Sequence, residues 1–258
     1  MATELWRRTG LAHSKTRAYK RSIDSARRIF ERGLARGKTV VSTSWGKDSV
    51  VMCDLALTMG VTSFLHLESP YSLPGNDEIV SHFAGRDADI TILSAEKTVE
   101  EYVSWYQEIG LAHERKEADH KAVVQTIKKS RGSQWCIDQG FEVQCLGMRA
   151  HEHGGRENMI KALGPLIVSR KTGLWRCMPL AYWSNEDVWA HIAANDLPYN
   201  RRIYDAETHG QTRYTIRNLG WISTDGAQKN GRIGWLRDHF RPQFDQLVAA
   251  FPHVRLLE

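Results

Sequence analysis

One stretch of the sequence, residues 39–59, restricts the fold more than any other. The β-branched residues at its start, Thr39 to Val41, predict a buried strand, and Val50 to Leu57 predict a helix. The polar residues between them must form a short turn that leads into the N-terminus of the helix. Such a unit gathers backbone N–H groups and the positive end of a helix dipole around one point, which suits a phosphate. An ordinary capped turn between strand and helix is the alternative interpretation.

The side chains of the turn favour the phosphate interpretation. Gly46 allows the backbone to approach an anion closely, Lys47 brings a positive charge, and Ser44 and Ser49 bring hydroxyl donors. The turn is not a Walker A loop, because no Gly lies five residues before Gly46 and Asp follows Lys47 where Ser or Thr would be needed. The nucleotide-binding candidates in this stretch are Ser42, Ser44, Trp45, Gly46, Lys47, Asp48 and Ser49.

A second motif, Gly-Met-Arg-Ala-His-Glu-His-Gly-Gly-Arg at residues 147–156, follows a predicted strand. Arg149 and Arg156 lie seven residues apart, and glycines allow the chain between them to bend. Because a planar guanidinium group can pair bidentately with phosphate or sulfate, the two arginines predict a clamp for a multiply charged anion. Glu152 is suited to orienting an arginine or to helping hold a metal. The nucleotide-binding candidates of this motif are Gly147, Arg149 and Glu152. A turn that carries surface arginines is the alternative.

Both motifs resemble those of one family. Residues 44–49 resemble the PP-loop of the adenine nucleotide α-hydrolase superfamily, and look most like its phosphoadenosine phosphosulfate (PAPS) reductase branch. Residues 147–156 are similar to the Gly-x-Arg-x-x-Glu-Ser-x-x-Arg stretch of that family, and residues 179–200 resemble its P-x-x-x-W-x-x-x-D-V-W … L-P-Y region. The family usually has Gly at the position of Trp45. The resemblance covers roughly residues 39–204.

Alternating predicted strands and helices indicate an α/β fold, a doubly wound and mostly parallel sheet of the adenine nucleotide α-hydrolase type. We expect an N-terminal helix and an irregular C-terminal elaboration around it. The predicted segments are a basic helical arm (1–38), a PP-loop nucleotide-binding domain (39–204) and an Arg/Trp-rich helical elaboration (205–258). The further predicted elements are helices over 14–36, 77–84, 96–109 and 116–139, strands over 61–67, 89–94 and 142–146, a hairpin over 166–180, a helix capped by Ser184, and a helix over 235–250 interrupted at Pro242.

Charge is distributed unevenly along the 258 residues. The net charge is +5, but residues 1–38 carry 11 Lys and Arg against 3 Asp and Glu. This basic end predicts a nucleic-acid partner or, alternatively, a solvated helix face. A C-terminal surface of basic and aromatic residues predicts the same partner or, equally, a solvated face with tryptophans buried behind it. Its members are Arg213, Tyr214, Arg217, Trp221, Lys229, Arg232, Trp235, Arg237 and Arg241. No apolar run is long enough to span a membrane and the N-terminus has no signal-peptide core, so we expect a cytoplasmic protein without membrane contact.

Four cysteines are present, and no two of them form a CxxC pair. We expect Cys53 to be a small buried core residue. The others, Cys136, Cys145 and Cys177, are core residues or, in the alternative that we do not favour, converge on an iron–sulfur cluster. In the family, PAPS reduction relies on a cysteine in a C-terminal Glu-Cys-Gly-x-His-like tail. Residues 251–258 contain no cysteine.

The resemblance implies several functions, and we favour an ATP pyrophosphatase. ATP or a related adenine nucleotide (PAPS or adenosine phosphosulfate) would bind at the PP-loop, with Mg²⁺ bridging its phosphates and Asp48 as a candidate magnesium ligand. AMP would pass to an acceptor, in sulfur transfer to nucleic acid as in DNA phosphorothioation proteins of this branch, with a sulfur-donor or GTPase partner protein. The alternatives are a PAPS reductase or sulfate adenylyltransferase-type enzyme, and a catalytically silent nucleotide-binding module. The catalytic candidates are Lys47, Asp48, Arg149 and Arg156.

Overall fold

The structure is a computed structural model that describes residues 2–68, 72–94, 101, 130–152, 154–216 and 231–250. The chain divides into two compact units. The first comprises Met1–His66, Asn76–Ile92 and Gly132–Asn200, and the second comprises Leu67–Gly75, Leu93–Arg131 and Arg201–Glu258. Residues 1–38 therefore share a unit with the central strands of the sheet, and the three-segment division expected from the sequence stays a prediction.

The described strands form one six-stranded sheet in the order β3-β2-β1-β4-β6-β5. Strand β1 pairs in parallel with β2 and β4, β4 pairs in parallel with β6, and β5 is antiparallel to β6. The predicted α/β class, the mostly parallel sheet and the hairpin are thus confirmed. The strands are β1 Thr39–Thr43, β2 Ser63–Leu67, β3 Asp89–Leu93, β4 Val143–Leu146, β5 Leu166–Val168 and β6 Trp175–Cys177.

Helices of the described residues alternate with the strands from β1 to β5, and the last four helices follow β6. The described helices are α1 Ala2–Ser14, α2 Arg17–Leu34, α3 Lys47–Thr58, α4 Asp77–Ala84, α5 Ser130–Asp138, α6 Gly154–Leu163, α7 Asn185–Ala194, α8 Arg201–Tyr204, α9 Arg232–His239 and α10 Arg241–Ala250. The predicted helix over 96–109 and most of that over 116–139 lie outside the described residues. Helix α1 lies in the predicted helical arm (1–38) but was not predicted as a separate helix; it packs against α7. In the described part of the chain, no helix has the length and apolar character needed to cross a membrane.

Strand β1 lies at the topological switch point of the sheet. The chain passes from β1 to β2 on one side, whereas β4 pairs with the other side of β1. In open α/β sheets, ligands bind outside the carboxyl ends of the strands at such a switch point. The side chains of Val40 and Val41 in β1 are fully buried, as expected for a central strand. The loops that leave β1 and β4 are therefore the first place to look for a site.

Side chains at the helix ends set several element boundaries. Helix α2 begins at Arg17 rather than at residue 14, because the Thr16 hydroxyl caps it by accepting a hydrogen bond from the Tyr19 N–H. Ser184 caps α7 as predicted, and Asp187 completes a capping box with it. The predicted interruption near Pro242 is a break at Phe240 between α9 and α10, which leaves the proline in the first turn of α10.

Helix α2 packs on the sheet through Gly33, and this contact yields a stability prediction. A Cβ atom at Gly33 would lie 2.7 Å from Cys177 Sγ, so Gly33→Ala overpacks the interface. We expect the free energy of unfolding to fall by about 1–3 kcal/mol, although Gly→Ala in a helix otherwise stabilises by about 1 kcal/mol. Urea denaturation measures the change. The matched control is Gly154→Ala in α6, where no described atom lies within 4 Å of the added methyl group. Equal effects of the two substitutions would contradict the packing account.

Candidate nucleotide-binding site

The two sequence motifs meet at the switch point of the sheet. The first motif leaves the carboxyl end of β1 and enters α3, and the second leaves the carboxyl end of the adjacent strand β4. Gly147 makes the approach of the two backbones possible. A Cβ atom there would lie 3.2 Å from the Ser49 nitrogen and 3.3 Å from the carbonyl carbon and oxygen of Asp48. The second motif thus passes directly over the first turn of α3.

Hydroxyl groups hold the turn between β1 and α3 in shape. The Ser49 hydroxyl accepts a hydrogen bond from the Ser44 N–H at 3.2 Å, and the two serine hydroxyl oxygens are 2.9 Å apart. Gly46 is the N-cap residue of α3 and supplies no side-chain cap. The first N–H groups of a helix have no partners within the helix, so an anion can bind at this end. Ser42 lies within β1, where its hydroxyl accepts a 2.7 Å hydrogen bond from Gln144 of β4.

Asp48 lies between two cations in the first turn of α3. Its Oδ2 atom is 2.8 Å from Lys47 Nζ, and its Oδ1 atom accepts a 2.6 Å hydrogen bond from Arg149 Nε. The Lys47 and Arg149 side chains are only 4% and 2% exposed, and that of Asp48 is 16% exposed. The carboxylate thus joins the lysine of the first motif to the arginine of the second.

Protein groups also hold the rest of the Arg149 side chain. Its Nη2 atom donates to Asn185 Oδ1 at 2.8 Å, and its Nη1 atom donates to the Trp183 carbonyl at 3.3 Å. Each guanidinium nitrogen therefore has a protein acceptor in this arrangement. We predicted Arg149 as half of an anion clamp, and in this structure its three nitrogens hold Asp48 and the turn before α7. The contact from Asn185 was not predicted, because a sequence does not show that the start of α7 reaches β4.

Arg156 is the more accessible arginine of the second motif. Its side chain is 37% exposed, and it forms an ion pair with Glu152 one helical turn away. Glu152 also accepts a hydrogen bond from the Arg149 backbone N–H at 3.1 Å. The site thus contains three cations and two carboxylates of alternating charge, in the order Lys47, Asp48, Arg149, Glu152 and Arg156.

The pKa values of Asp48 and Lys47 are both below their ordinary values, but for different reasons. Burial alone would raise the pKa of Asp48, but the Lys47 ammonium and the Arg149 guanidinium outweigh it and hold the pKa below its ordinary value. Burial lowers the pKa of Lys47, and the charge of Arg149 lowers it further, whereas Asp48 acts in the opposite sense. Asp48 is therefore an anion at neutral pH.

The carboxylate of Asp48 does not fit a direct magnesium ligand in this arrangement. Magnesium prefers near-octahedral oxygen ligands, but each oxygen of Asp48 already pairs with a cation. Within the described ranges, no group of three or more His, Cys, Asp or Glu residues could hold a metal ion. Magnesium coordination by Asp48 stays a prediction.

Trp45 takes a backbone conformation that glycine adopts without strain, and glycine is the usual residue here in the family that the sequence resembles. Its φ angle is +56°, in the left-handed region that costs a side-chain-bearing residue about 1–2 kcal/mol. The indole ring is 1% exposed and lies 5.6 Å from the His66 ring and 6.2 Å from the Phe83 ring, as measured between centroids. The ring therefore occupies the core behind the turn.

The four cysteines are all buried and free. Cys145 and Cys177 are register partners on β4 and β6, whereas Cys136 lies in α5. The pKa values of Cys53 and Cys136 are raised to about 12, in each case mainly by burial, and that of Cys145 is raised by its hydrogen bond with Cys177 and by burial. The described residues contain no group of three or more His, Cys, Asp or Glu side chains that could hold a metal ion. The cluster alternative for Cys136, Cys145 and Cys177 stays a prediction.

The predicted C-terminal basic surface is only partly present. Arg213 and Arg232 are buried, and so is Trp235, whose ring lies 4.7 Å below the Arg232 guanidinium. Arg213 pairs with Asp205 at 3.0 Å. The burial of Arg213 and Arg232 is contrary to the predicted basic surface, because carboxylates and an aromatic ring beside them accommodate their guanidinium groups. The burial of Trp235 agrees with the alternative of tryptophans buried behind a solvated face. Arg217, Trp221 and Lys229 lie outside the described residues.

Comparison with known proteins identifies the family of this chain. The family model of the phosphoadenosine phosphosulfate reductase domain matches residues 38–224. A crystal structure of PAPS reductase from Candida auris, a phosphate complex, is similar with a TM-score of 0.51 and 16% identity, over 68% of this chain and 82% of that one. The fold is that of the adenine nucleotide α-hydrolases. The chain belongs to the phosphoadenosine phosphosulfate reductase domain family, because the family model covers well over half of it.

Two further solved structures show weaker likeness. NH₃-dependent NAD synthetase from Campylobacter jejuni has a TM-score of 0.47 and 11% identity, over 93% of this chain and 96% of that one. Candida glabrata FMN adenylyltransferase has a TM-score of 0.46 and 13% identity, over 79% of this chain and 68% of that one. Both TM-scores are below 0.5, which is too low to support a functional comparison. No curated protein matches this sequence.

The ion pairs of Asp48 predict a large effect of Asp48→Asn. The substitution leaves two buried cations without their carboxylate, so we expect the free energy of unfolding at pH 7 to fall by about 3 kcal/mol. Since the pKa of Asp48 is lowered in the folded state, its stabilisation is present at neutral pH and is lost as the pH falls through that lowered pKa. The difference from wild type should therefore shrink in acid. Denaturation across pH measures it, with exposed Asp24→Asn as the control; a difference independent of pH would contradict the account.

Replacement of Trp45 separates packing from backbone strain. Trp45→Ala removes the buried ring but keeps a Cβ at positive φ, and we expect a loss of about 3–5 kcal/mol in the free energy of unfolding. Trp45→Gly removes the ring and the strain together, so its loss should be smaller by about 1 kcal/mol. Chemical denaturation of both variants measures the two terms. A Trp45→Gly protein as stable as wild type would show that the ring contributes no packing energy.

Proposed function

We propose that this protein is an ATP pyrophosphatase that binds an adenine nucleotide at the turn between β1 and α3 and transfers AMP to an acceptor. The observation that carries the proposal is the joining of Lys47 and Arg149 through Asp48 at the switch point, beside the N-terminus of α3. This arrangement concentrates positive charge and helix N–H groups where adjacent parallel strands end. Family membership supports an enzyme that acts on an adenine nucleotide.

In the proposed reaction, an acceptor oxygen attacks the α-phosphorus of ATP. A new P–O bond forms to the acceptor, the bond to the β-phosphate oxygen breaks, pyrophosphate leaves, and the acceptor loses its proton. The chain contributes positioning and charge neutralisation. A phosphate that reaches Lys47 competes with the Asp48 carboxylate for its ammonium group, and Arg156 is accessible enough to contact the same anion. Asn185 keeps Arg149 oriented toward Asp48 during this exchange.

The cysteines make a thiol reductase the weaker proposal. Thiolates are the reactive form of cysteine, and reactive cysteines are partly exposed with lowered pKa values. All four cysteines of this sequence are buried, and the pKa values of Cys53, Cys136 and Cys145 are raised. A sulfite-releasing step would need a thiolate that these residues do not favour.

The position of Trp45 weakens the case for a catalytically silent module. In the sequence, Trp45 is the main reason for that interpretation, because the family usually has Gly at its position. The indole ring is instead buried against His66 and Phe83. Only the backbone of Trp45 belongs to the turn, as it does for a glycine at the same position.

Nucleic acid is the acceptor class that we propose, with sulfur transfer to it as the overall reaction. The support is the concentration of positive charge in residues 1–38, which belong to the same compact unit as the site. Such a reaction would need a sulfur donor, and we propose that a partner protein supplies it. Sulfate is the competing acceptor, and it would make the protein a sulfate adenylyltransferase-type enzyme.

Pyrophosphate release tests the reaction. With ATP, magnesium chloride and DNA or tRNA, we expect wild-type protein to release pyrophosphate and Lys47→Met to be slower by about 100-fold, because a preorganised charge at a reacting anion contributes about 3 kcal/mol. Lys161→Met on the exposed face of α6 is the matched control and should keep wild-type activity.

Parallel reactions distinguish the alternatives. Release that requires sulfate rather than nucleic acid would assign the sulfate adenylyltransferase reaction. Sulfite release from PAPS with a thiol would overturn the proposal in favour of a reductase. Retained ATP binding with no release under any condition would leave the silent module.

A further inference from the structure

Four arginines lie in one line along the exposed side of α2. Arg17, Arg21, Arg28 and Arg32 are separated by four, seven and four residues, which are multiples of the helical repeat. At about 1.5 Å per residue, the line is about 22 Å long. We call these four residues the arginine row. The opposite side of α2 is buried and contains Tyr19, Ala26, Ile29, Phe30 and Gly33.

The positive charge of the arginine row is not neutralised within the described protein. All four residues are exposed, and none of them forms an ion pair with another described residue. Asp24 and Glu31 lie beside the row on the same helix, but they form no ion pair with it. By contrast, the arginines of the nucleotide site are paired with carboxylates. The row is therefore available to an external polyanion.

The shape of this surface favours nucleic acid over a membrane or an acidic protein. A helix that binds a membrane surface presents an apolar face to the lipid, but the apolar face of α2 is buried. Guanidinium groups pair bidentately with phosphates, and a straight row of them follows a regularly spaced phosphate backbone. The exposed face of α2 between residues 17 and 32 carries no large exposed hydrophobic residue that would anchor a protein partner.

Hydrogen bonds connect α2 to the turn that holds Arg149. The Ser22 carbonyl accepts a 3.0 Å hydrogen bond from Trp183 Nε1, and the Ser22 hydroxyl donates to Asp187 Oδ2 at 3.0 Å. The Trp183 carbonyl and the adjacent Asn185 in turn accept from Arg149. A partner bound along α2 would thus lie on a helix whose other side is fixed to the nucleotide site.

We infer that the arginine row is the surface that binds the phosphate backbone of a nucleic-acid acceptor, without reading its sequence. The inference rests on the proposed function in one respect, namely that the bound nucleic acid is the acceptor of AMP. Binding of the phosphate backbone itself requires neither ATP nor catalysis. Phosphate contacts of this kind supply affinity that falls steeply with salt.

Binding of a fluorescent DNA duplex without ATP tests the inference. Anisotropy over a range of salt concentrations gives the affinity and the slope of its logarithm against that of salt. We expect Arg21→Gln/Arg28→Gln to weaken binding by about tenfold and to reduce the slope by about 2, since each lost phosphate contact removes about 0.9. The control is Arg170→Gln/Lys171→Gln, which removes the same charge from the exposed turn between β5 and β6 and should leave the slope unchanged.

Two outcomes would overturn the inference. An equal loss in both double variants would show that net charge rather than the arginine row attracts DNA. Binding to phosphatidylserine vesicles or to a polyglutamate peptide, but not to duplex DNA, single-stranded DNA or tRNA, would assign the row to another partner. Failure of the proposed function looks different: DNA would still bind through the row, but no condition would give pyrophosphate release.

Discussion

The ion pairs of Asp48 are the interaction on which the candidate site depends. One carboxylate fixes the lysine of the β1–α3 turn and the arginine that follows β4, and both cations are buried. Two buried cations so close together are tolerated only because a negative charge lies between them. A nucleotide phosphate would offer the same compensation, which is the physical reason that this pair of strands is suited to binding one.

The sheet and its helices bring this carboxylate to the right place. Gly147 permits the second motif to pass over the start of α3, and the capped start of α7 supplies Asn185 to Arg149. Ser22 of α2 donates a hydrogen bond to Asp187 in α7, and the arginine row of α2 is exposed. The proposed catalytic site and the proposed acceptor-binding surface thus lie in one compact unit and are connected through residues 183–187.

Much of this arrangement could be predicted from sequence, because it depends on local patterns. The strand–turn–helix unit at residues 39–59, the hairpin and the Ser184 cap follow from periodicity and capping chemistry. The contacts of Arg149 could not be predicted, since they depend on three segments far apart in the chain. Helix α1 was missed as a separate helix because packing on α7, rather than a strong periodic pattern, accounts for it. The burial of Arg213 and Arg232 was missed for a related reason: a sequence shows charge but not which charges find buried partners.

Calorimetric titration of ATP into the whole protein tests the central claim most directly, because it measures the phosphate site without assuming an acceptor. The account predicts one saturable site that pyrophosphate competes for, with binding weakened by at least tenfold in Lys47→Met and unchanged in Lys161→Met. ATP binding of full affinity in Lys47→Met, or no binding by the wild-type protein, would contradict it.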